Sequence, residues 1–326
     1  MSADASQNAI LPRDSLQTPA VSPKERVWEI DFLRGAAILG MIVDHFIFDL
    51  GMLNTFFVNF NEIASPALIA FSAEMNDYFC SPVRQFCHSL ALLFFMMSGI
   101  SCSFSRNNFR HAGKILLFAG LITAFTYCLY YISYGLGSPV DVRILFGVLY
   151  VLGIGVLLVA VIQKIPGSKW IELGLGSAIL LFGVLYGFLG PMKGKIHDWN
   201  SFWENIFFLF DVAPSKAMFT IENGPNLFAK ITGFDVPSFF SSMFGFQRSG
   251  SDYFPLIPWI GFTFIGAFLG QTIYKDKKSL LPKIDGRWHR PVDWFGSKSL
   301  YIYVLHQPLW LAILLLIFLP MGFRMF

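Results

Sequence analysis

The chain has 326 residues, of which 55% are hydrophobic and only 14% are charged, and its formal net charge is +3. Soluble domains carry charges on about 25% of their residues, so this composition excludes an ordinary soluble protein and predicts an all-α integral membrane protein. The sequence carries no soluble nucleic-acid-binding signature, so the expected surroundings are a lipid bilayer and no nucleic acid is expected as a partner.

The polar N-terminal stretch 1–27 has no apolar core segment, so it predicts a flexible cytoplasmic tail and not a signal peptide. Beyond it, apolar runs long enough to cross a bilayer predict a bundle of about seven transmembrane helices that forms a single domain over residues 28–326. The predicted spans are 31–53, 86–105, 113–133, 142–163, 169–190, 254–274 and 298–320.

Lys and Arg indicate how the predicted bundle is oriented. They collect in the tail, in the turns after spans 2 and 4, and in the loop after span 6. Because positive residues favour the cytoplasmic side, this distribution predicts a cytoplasmic N-terminus and a C-terminus outside. The aromatic-rich stretch at about 191–253 then predicts an extracytoplasmic cap or acceptor-binding lid, or a loop packed at the headgroup level. The semi-apolar piece within 54–84 predicts a surface or re-entrant helix.

The first predicted span carries ionisable side chains where a bilayer makes them costly. At about 100° per residue, Asp31, Arg34, His45 and Asp49 share an arc of roughly 60°, whereas Asp44 falls outside it. Arg34 and His45 are roughly 16 Å apart along the axis. Because intramembrane ionisable groups mark functional sites, this face predicts a functional site with a cation near the cytoplasm and an imidazole deeper in the membrane. Asp44 is not expected to belong to that site.

The spacing of these groups suggests their roles. At i,i+4, Asp49 is expected to accept a hydrogen bond from His45 and to leave its other nitrogen as a base; the alternative is a buried pair that satisfies only itself. Asp31 and Arg34 predict either a salt bridge that anchors the helix end or a guanidinium that binds a cofactor phosphate. Arg106, after span 2, is expected to help hold an anionic cofactor, although the positive-inside bias also explains it.

Span 7 contains a second intramembrane histidine. Tyr303 and His306 fall within about 60° of each other, Gln307 is adjacent, and Pro308 removes a backbone donor. We expect this face to oppose His45 as a wall that contacts substrate or supports the site. The alternative for His306 is a hydrogen-bonded residue of helix packing.

Two further side chains are candidates for acceptor contacts. Arg143, at the outer end of span 4, predicts an acceptor contact or an interface anchor. Trp259, near the start of span 6, predicts a sugar-stacking or gate residue, or a packing aromatic.

Cys80 and Cys87 predict either a disulfide or two unpaired thiols. The Cys and His spacings favour no metal site, so no metal is predicted.

Five blocks of the sequence carry a resemblance to a known family. They are WEIDFLRGAAILGMIVDHFIFDL, FFMMSGISCSFSR, RILFGVLYVLGIG, DYFPLIPWIGFTFIGAFLG and SLYIYVLHQPLW, within about residues 27–312. In order and spacing they resemble the bacterial membrane proteins related to the catalytic domain of heparan-alpha-glucosaminide N-acetyltransferase. More loosely, Arg34 followed ten residues later by His45 resembles the arginine–histidine motif of acyltransferase-3 membrane proteins.

The resemblance implies a transmembrane acyltransferase of the bacterial inner membrane. It implies transfer of an acetyl group from cytosolic acetyl-CoA to an amine or hydroxyl of an amino sugar or glycan, with His45 as base or acyl carrier. The residues leave two other classes open, a proton-coupled transporter or flippase that uses His45, Asp49 and His306 as a relay, and a non-enzymatic membrane scaffold. The sequence also leaves homo-oligomer formation open.

Overall fold

A computed structural model of the chain describes residues 27–79, 81, 84, 91–135, 142–189, 239–240, 243–244 and 252–325. The predicted tail, Cys80 and Cys87, and nearly all of the predicted cap lie outside the described residues. The structure therefore bears on the helical domain and on the side chains within it.

The described part of the chain is all-helical and contains no β-strand, only an isolated bridge between Gly147 and Tyr253. Its α-helices are α1 Trp28–Gly51, α2 Leu53–Phe56, α3 Phe60–Ile63, α4 Pro66–Phe79, α5 Ala91–Cys102, α6 Asn108–Gly135, α7 Val148–Ile162, α8 Ser168–Leu189, α9 Leu256–Thr272, α10 Arg290–Ser297 and α11 Ser299–Phe318. Short 3-10 turns follow at Pro282–Ile284 and Leu319–Met321.

The predicted spans coincide with helices α1, α5, α6, α7, α8, α9 and α11, and the semi-apolar piece before span 2 forms α4. By length and composition, two helices among the described residues are long and apolar enough to cross a membrane, Asn108–Gly135 and Ser299–Met321. Ala91–Cys102, Val148–Ile162 and Leu256–Thr272 are shorter apolar helices. Helix α1 belongs neither to the two long apolar helices nor to the three shorter ones, because it carries ionisable side chains.

Helix α9 packs against α5 and α8 in the core. Its backbone meets that of α5 at two glycines, because an added Cβ would lie 2.0 Å from the Thr263 carbonyl oxygen at Gly99 and 2.1 Å from the Met96 carbonyl oxygen at Gly266. Small residues allow such close helix approach. The fully buried Trp259 lies on the same helix, α9, and packs against Phe95 of α5.

Helix α1 is fixed near its N-terminal end by the short helix α10. An added Cβ would lie 1.8 Å from the Asp31 carbonyl oxygen at Gly296, and 2.0 Å from the Val292 carbonyl oxygen at Gly35. Only glycine permits both backbones to come this close. Helices α4, α5 and α11 also pack on α1, so the position of its polar face depends on four neighbouring helices.

His289 anchors the segment that leads into α10. Its Nδ1 lies 2.6 Å from Asp293 Oδ2, its Nε2 lies 3.0 Å from Asp285 Oδ1, and its ring stacks on Trp28 with centroids 4.2 Å apart. Burial disfavours the imidazolium, but hydrogen bonds and charge from the two carboxylates outweigh burial and raise the pKa of His289 above its ordinary value. The ring therefore links the segment before α10 to the start of α1.

Candidate active site

A cavity of about 180 Å³ lies between α1, α6 and α11. Five residues predicted for the site share its wall: His45, Asp49, Tyr303, His306 and Gln307. The first and seventh predicted spans therefore face each other, as expected. Five other candidate side chains are not among the described residues that line the cavity, namely Asp31, Arg34, Arg106, Arg143 and Trp259.

The two histidines meet inside this cavity. The rings of His45 and His306 are 4.9 Å apart between centroids and nearly perpendicular, at 81°. His45 Nδ1 lies 2.9 Å from the Met41 carbonyl oxygen, and His306 Nδ1 lies 2.6 Å from the Tyr303 carbonyl oxygen. Since a carbonyl oxygen can only accept, each Nδ1 must carry the hydrogen. In the neutral rings, both Nε2 atoms are then lone-pair acceptors.

His306 Nε2 is buried and has no hydrogen-bond partner among the described residues. Buried polar atoms are nearly always hydrogen-bonded, and an exception calls for an explanation such as a catalytic role or a bound molecule. The ring itself is only 7% exposed. His306 therefore keeps a buried nitrogen lone pair that no described residue uses, on a ring that lies next to the ring of His45.

The predicted hydrogen bond between His45 and Asp49 is wrong. Helical side chains lean towards the N-terminus of their helix, so His45 Nδ1 turns back to the Met41 carbonyl oxygen instead. Asp49 Oδ1 accepts from Gln307 Nε2 at 3.3 Å. Asp49 thus connects α1 to α11 through Gln307, and its buried carboxylate contributes negative charge to the cavity without orienting the His45 ring.

Asp252 is a member of the site that the sequence reasoning missed. It lines the cavity, and its Oδ2 accepts a hydrogen bond from the hydroxyl of Tyr303. It stands just before α9, 51 residues from Tyr303 in sequence. The signal available was an acidic residue directly before the apolar block YFPLIPW, but nothing in that position indicates its partner.

The exclusion of Asp44 from the site is also wrong. Asp44 lines the cavity with Arg84, whose Nε and Nη2 donate to its two carboxylate oxygens at 2.8 and 2.9 Å. The arc on α1 does not define the whole site, because the cavity also includes Arg84, which pairs with Asp44 outside that arc. Such a bidentate pair fixes both side chains in the wall.

Arg34 lies away from the cavity, near the opposite end of α1. Its Nη1 is 3.4 Å from Asp31 Oδ1, its Nη2 is 3.4 Å from the Met97 carbonyl oxygen, and Nη2 also donates to the hydroxyl of Ser101. The expected pairing with Asp31 is therefore present. In addition the guanidinium ties α1 to α5, a contact that spacing within one helix does not reveal.

The remaining candidates lie apart from the cavity. Arg106 is exposed after α5, and Arg143 is buried with its guanidinium carbon 3.9 Å from the ring centroid of Tyr130. Trp259 is 0% exposed and packs against Phe95 and Phe254. The suggestion that Trp259 stacks on a sugar or acts as a gate is thus wrong, because its ring is enclosed in the core.

The chemistry available in the cavity follows from its residues. An imidazole with a free lone pair can take a proton from an attacking group or attack a carbonyl carbon itself. A nearby carboxylate favours the imidazolium that forms. Among the described residues, no group of three or more His, Cys, Asp and Glu side chains is arranged to hold a metal ion. The two imidazoles of the cavity offer a histidine as base or nucleophile.

Comparison with known families gives a match over most of the chain. The family described as heparan-alpha-glucosaminide N-acetyltransferase, catalytic, matches residues 26–308. Neither a curated protein nor a solved structure gave a match. The matched range contains α1 through the middle of α11 and includes both histidines. The family consists of membrane acetyltransferases, and the chain belongs to the family of the heparan-alpha-glucosaminide N-acetyltransferase catalytic domain.

Proposed function

We propose that the protein moves an acetyl group from cytosolic acetyl-CoA to an amine or hydroxyl of an amino sugar or glycan across the membrane. The observation that carries the proposal is the pair of imidazoles, His45 and His306, in a cavity of a chain that belongs to an acetyltransferase family. His45 is the proposed catalytic base or acyl carrier. Asp49 supplies negative charge that favours its imidazolium form.

In direct transfer, His45 Nε2 takes a proton from the acceptor while the acceptor oxygen or nitrogen attacks the thioester carbonyl carbon. The new carbon–oxygen or carbon–nitrogen bond replaces the carbon–sulfur bond, and the departing thiolate recovers the proton from the imidazolium. In the two-step alternative, Nε2 attacks first and the acetyl group passes from the imidazole to the acceptor. Both routes need an Nε2 lone pair, which the bond from His45 Nδ1 to the Met41 carbonyl oxygen provides.

The topology belongs to the same proposal. Helices α1, α5, α6, α7, α8, α9 and α11 cross the bacterial inner membrane, with the N-terminus in the cytoplasm and the C-terminus outside. The Lys and Arg distribution supports this orientation. His45 then lies roughly 16 Å deeper than Arg34, a distance that the extended pantetheine arm of acetyl-CoA can bridge.

The proposed donor site is at the cytoplasmic end of α1. Arg34, oriented by Asp31 and Ser101, and the exposed Arg106 supply positive charge for the phosphates of acetyl-CoA. Loss of acetyl-CoA binding in Arg34→Ala is the expected result in a filter-binding assay with labelled cofactor. Arg34→Ala binding acetyl-CoA as tightly as the unsubstituted protein would remove Arg34 from the donor site.

The test of the function is incubation of the purified protein with acetyl-labelled acetyl-CoA and a hexosamine acceptor. The proposal expects label on the acceptor, with the protein itself labelled on the way if an acetyl-His intermediate forms. A proton-coupled transporter with His45, Asp49 and His306 as a relay is the competing outcome. It would give substrate uptake into liposomes driven by a pH gradient without any acyl donor, and no transfer of label.

A further inference from the structure

The cavity reaches the outer surface of the helix bundle between α6 and α11. Phe125 on α6 and Pro308 on α11 both line the cavity and are both exposed, Phe125 by 50%. A residue that borders a cavity and is also exposed marks its mouth. Both helices are long and apolar enough to cross a bilayer, and Pro308 lies midway along α11. The mouth formed by the described residues therefore faces the lipid.

The two helices make contact near their N-terminal ends and enclose the cavity farther along. Lys114 Nζ lies 4.6 Å from the ring centroid of Tyr301, and the Phe118 and Tyr301 rings are 6.0 Å apart. Two to three turns beyond Phe118, Phe125 and Leu129 line the cavity. The opening is thus a built feature of the interface, with a closed end and an open end.

The cavity wall changes character from the mouth to the interior. The mouth residues Phe125 and Pro308 are apolar, and further apolar side chains line the cavity, namely Leu129, Leu311, Met52 and Phe56. The interior carries the imidazoles, carboxylates and Tyr303 hydroxyl described above. An acceptor with a polar head and an apolar chain matches both parts, because its chain buries apolar surface that a free sugar lacks.

We propose that the acceptor is carried on a membrane lipid, with its amino-sugar headgroup in the cavity and its hydrocarbon chain leaving between α6 and α11. The inference rests on the proposed function, which gives the chemistry of the headgroup. The path of the hydrocarbon chain is inferred from the lipid-facing mouth. It makes the bilayer the route by which the acceptor arrives. The donor and the acceptor then reach His45 from different directions, which permits both to be bound at once.

The test measures binding and turnover separately, on full-length protein in nanodiscs. Radiolabelled decyl glucosaminide is the probe, and unlabelled decyl glucosaminide, methyl glucosaminide and decyl maltoside are the competitors. Burial of the chain predicts that decyl glucosaminide displaces the probe at concentrations at least about tenfold lower than methyl glucosaminide. Because the headgroup is also recognised, decyl maltoside is expected to compete at least about tenfold more weakly than decyl glucosaminide.

A matched pair of variants tests where the hydrocarbon chain of the acceptor leaves the cavity. Phe125→Ser removes a mouth residue, whereas Leu121→Ser alters a side chain one turn away that is 54% exposed and does not line the cavity. Probe binding should weaken at least about threefold in Phe125→Ser and stay unchanged in Leu121→Ser.

Absence of saturable binding, equal displacement by methyl glucosaminide or decyl maltoside, or equal effects of the two serines would overturn the inference. Specific binding without acetyl transfer would reject the proposed function and leave the lipid-borne ligand standing.

Discussion

The two ends of α1 hold their ionisable groups in different ways. Near Arg34 the groups bond to other protein groups: the guanidinium contacts Asp31, Met97 and Ser101, and both ring nitrogens of His289 lie within 3.0 Å of carboxylates. In the cavity, His45 and His306 use only Nδ1, and His306 Nε2 has no partner among the described residues. The two imidazoles of the cavity therefore differ from the groups near Arg34, because each imidazole keeps a second nitrogen that is available for chemistry.

The largest stability effect is expected at the end of α1 that carries Arg34. Gly296→Ala places a Cβ against the Asp31 carbonyl oxygen, at 1.8 Å in the present geometry, so α10 must move away from α1. Overpacking of this kind costs about 1–3 kcal/mol. A lower midpoint of thermal unfolding, together with weaker acetyl-CoA binding through the displaced Arg34, is the expected result.

Gly40→Ala is the matched control for that change. Gly40 also lies in α1, but an added Cβ there meets nothing within 4 Å. An interior helical glycine replaced by alanine stabilises a helix by roughly 0.5–1 kcal/mol. If both alanines raised the unfolding midpoint, the close contact between α1 and α10 would not position the helix.

A second effect on stability is expected from the Asp252–Tyr303 hydrogen bond in the cavity. Tyr303→Phe leaves the Asp252 carboxylate without the hydroxyl that it accepts from, and a buried unsatisfied group costs about 1–3 kcal/mol. Asp252→Asn keeps a carbonyl acceptor and should cost less. The free energy of unfolding of the two single variants and the double variant gives the coupling, which for groups in contact is roughly 0.5–3 kcal/mol.

Additive effects of those two substitutions would contradict a direct contact between the groups. Because Tyr303 also supplies the carbonyl oxygen that His306 Nδ1 donates to, Tyr303→Phe keeps that backbone bond. The substitution should therefore reduce stability more than it alters the pH dependence of acetyl transfer. A strong change in the pH profile instead would assign the hydroxyl a role in proton transfer.

The smallest effect is a pH dependence at His289. Its pKa is raised in the folded protein by Asp285 and Asp293, so the contribution of the charged ring to stability is fully present below its ordinary pKa of about 6.5. That contribution is lost as the pH rises through the raised value. The difference in unfolding midpoint between the unsubstituted protein and His289→Gln should shrink as the pH increases. A difference that is constant with pH would show that the ring acts by packing alone.

Apolar run length predicts where the seven helices of the predicted spans lie, although α5, α7 and α9 are shorter than those spans. The sequence also predicts that His45 and His306 face one cavity, since each lies on the polar face of its own helix. It does not predict Arg84 or Asp252, because their partners Asp44 and Tyr303 lie 40 and 51 residues away and only the packed structure brings them together. The partner of His45 was missed because the ring bonds to a backbone carbonyl, which residue identity cannot reveal.

Single-turnover acetyl transfer by His45→Ala tests the central claim most directly. Acetyl-labelled acetyl-CoA and a hexosamine acceptor are mixed with the purified variant, and His111→Ala, at an exposed histidine of α6, serves as the control. Loss of a general base predicts a rate at least about a hundredfold lower in His45→Ala, with an unfolding midpoint close to that of the control. A correctly folded His45→Ala protein that transfers acetyl at the full rate would contradict the account.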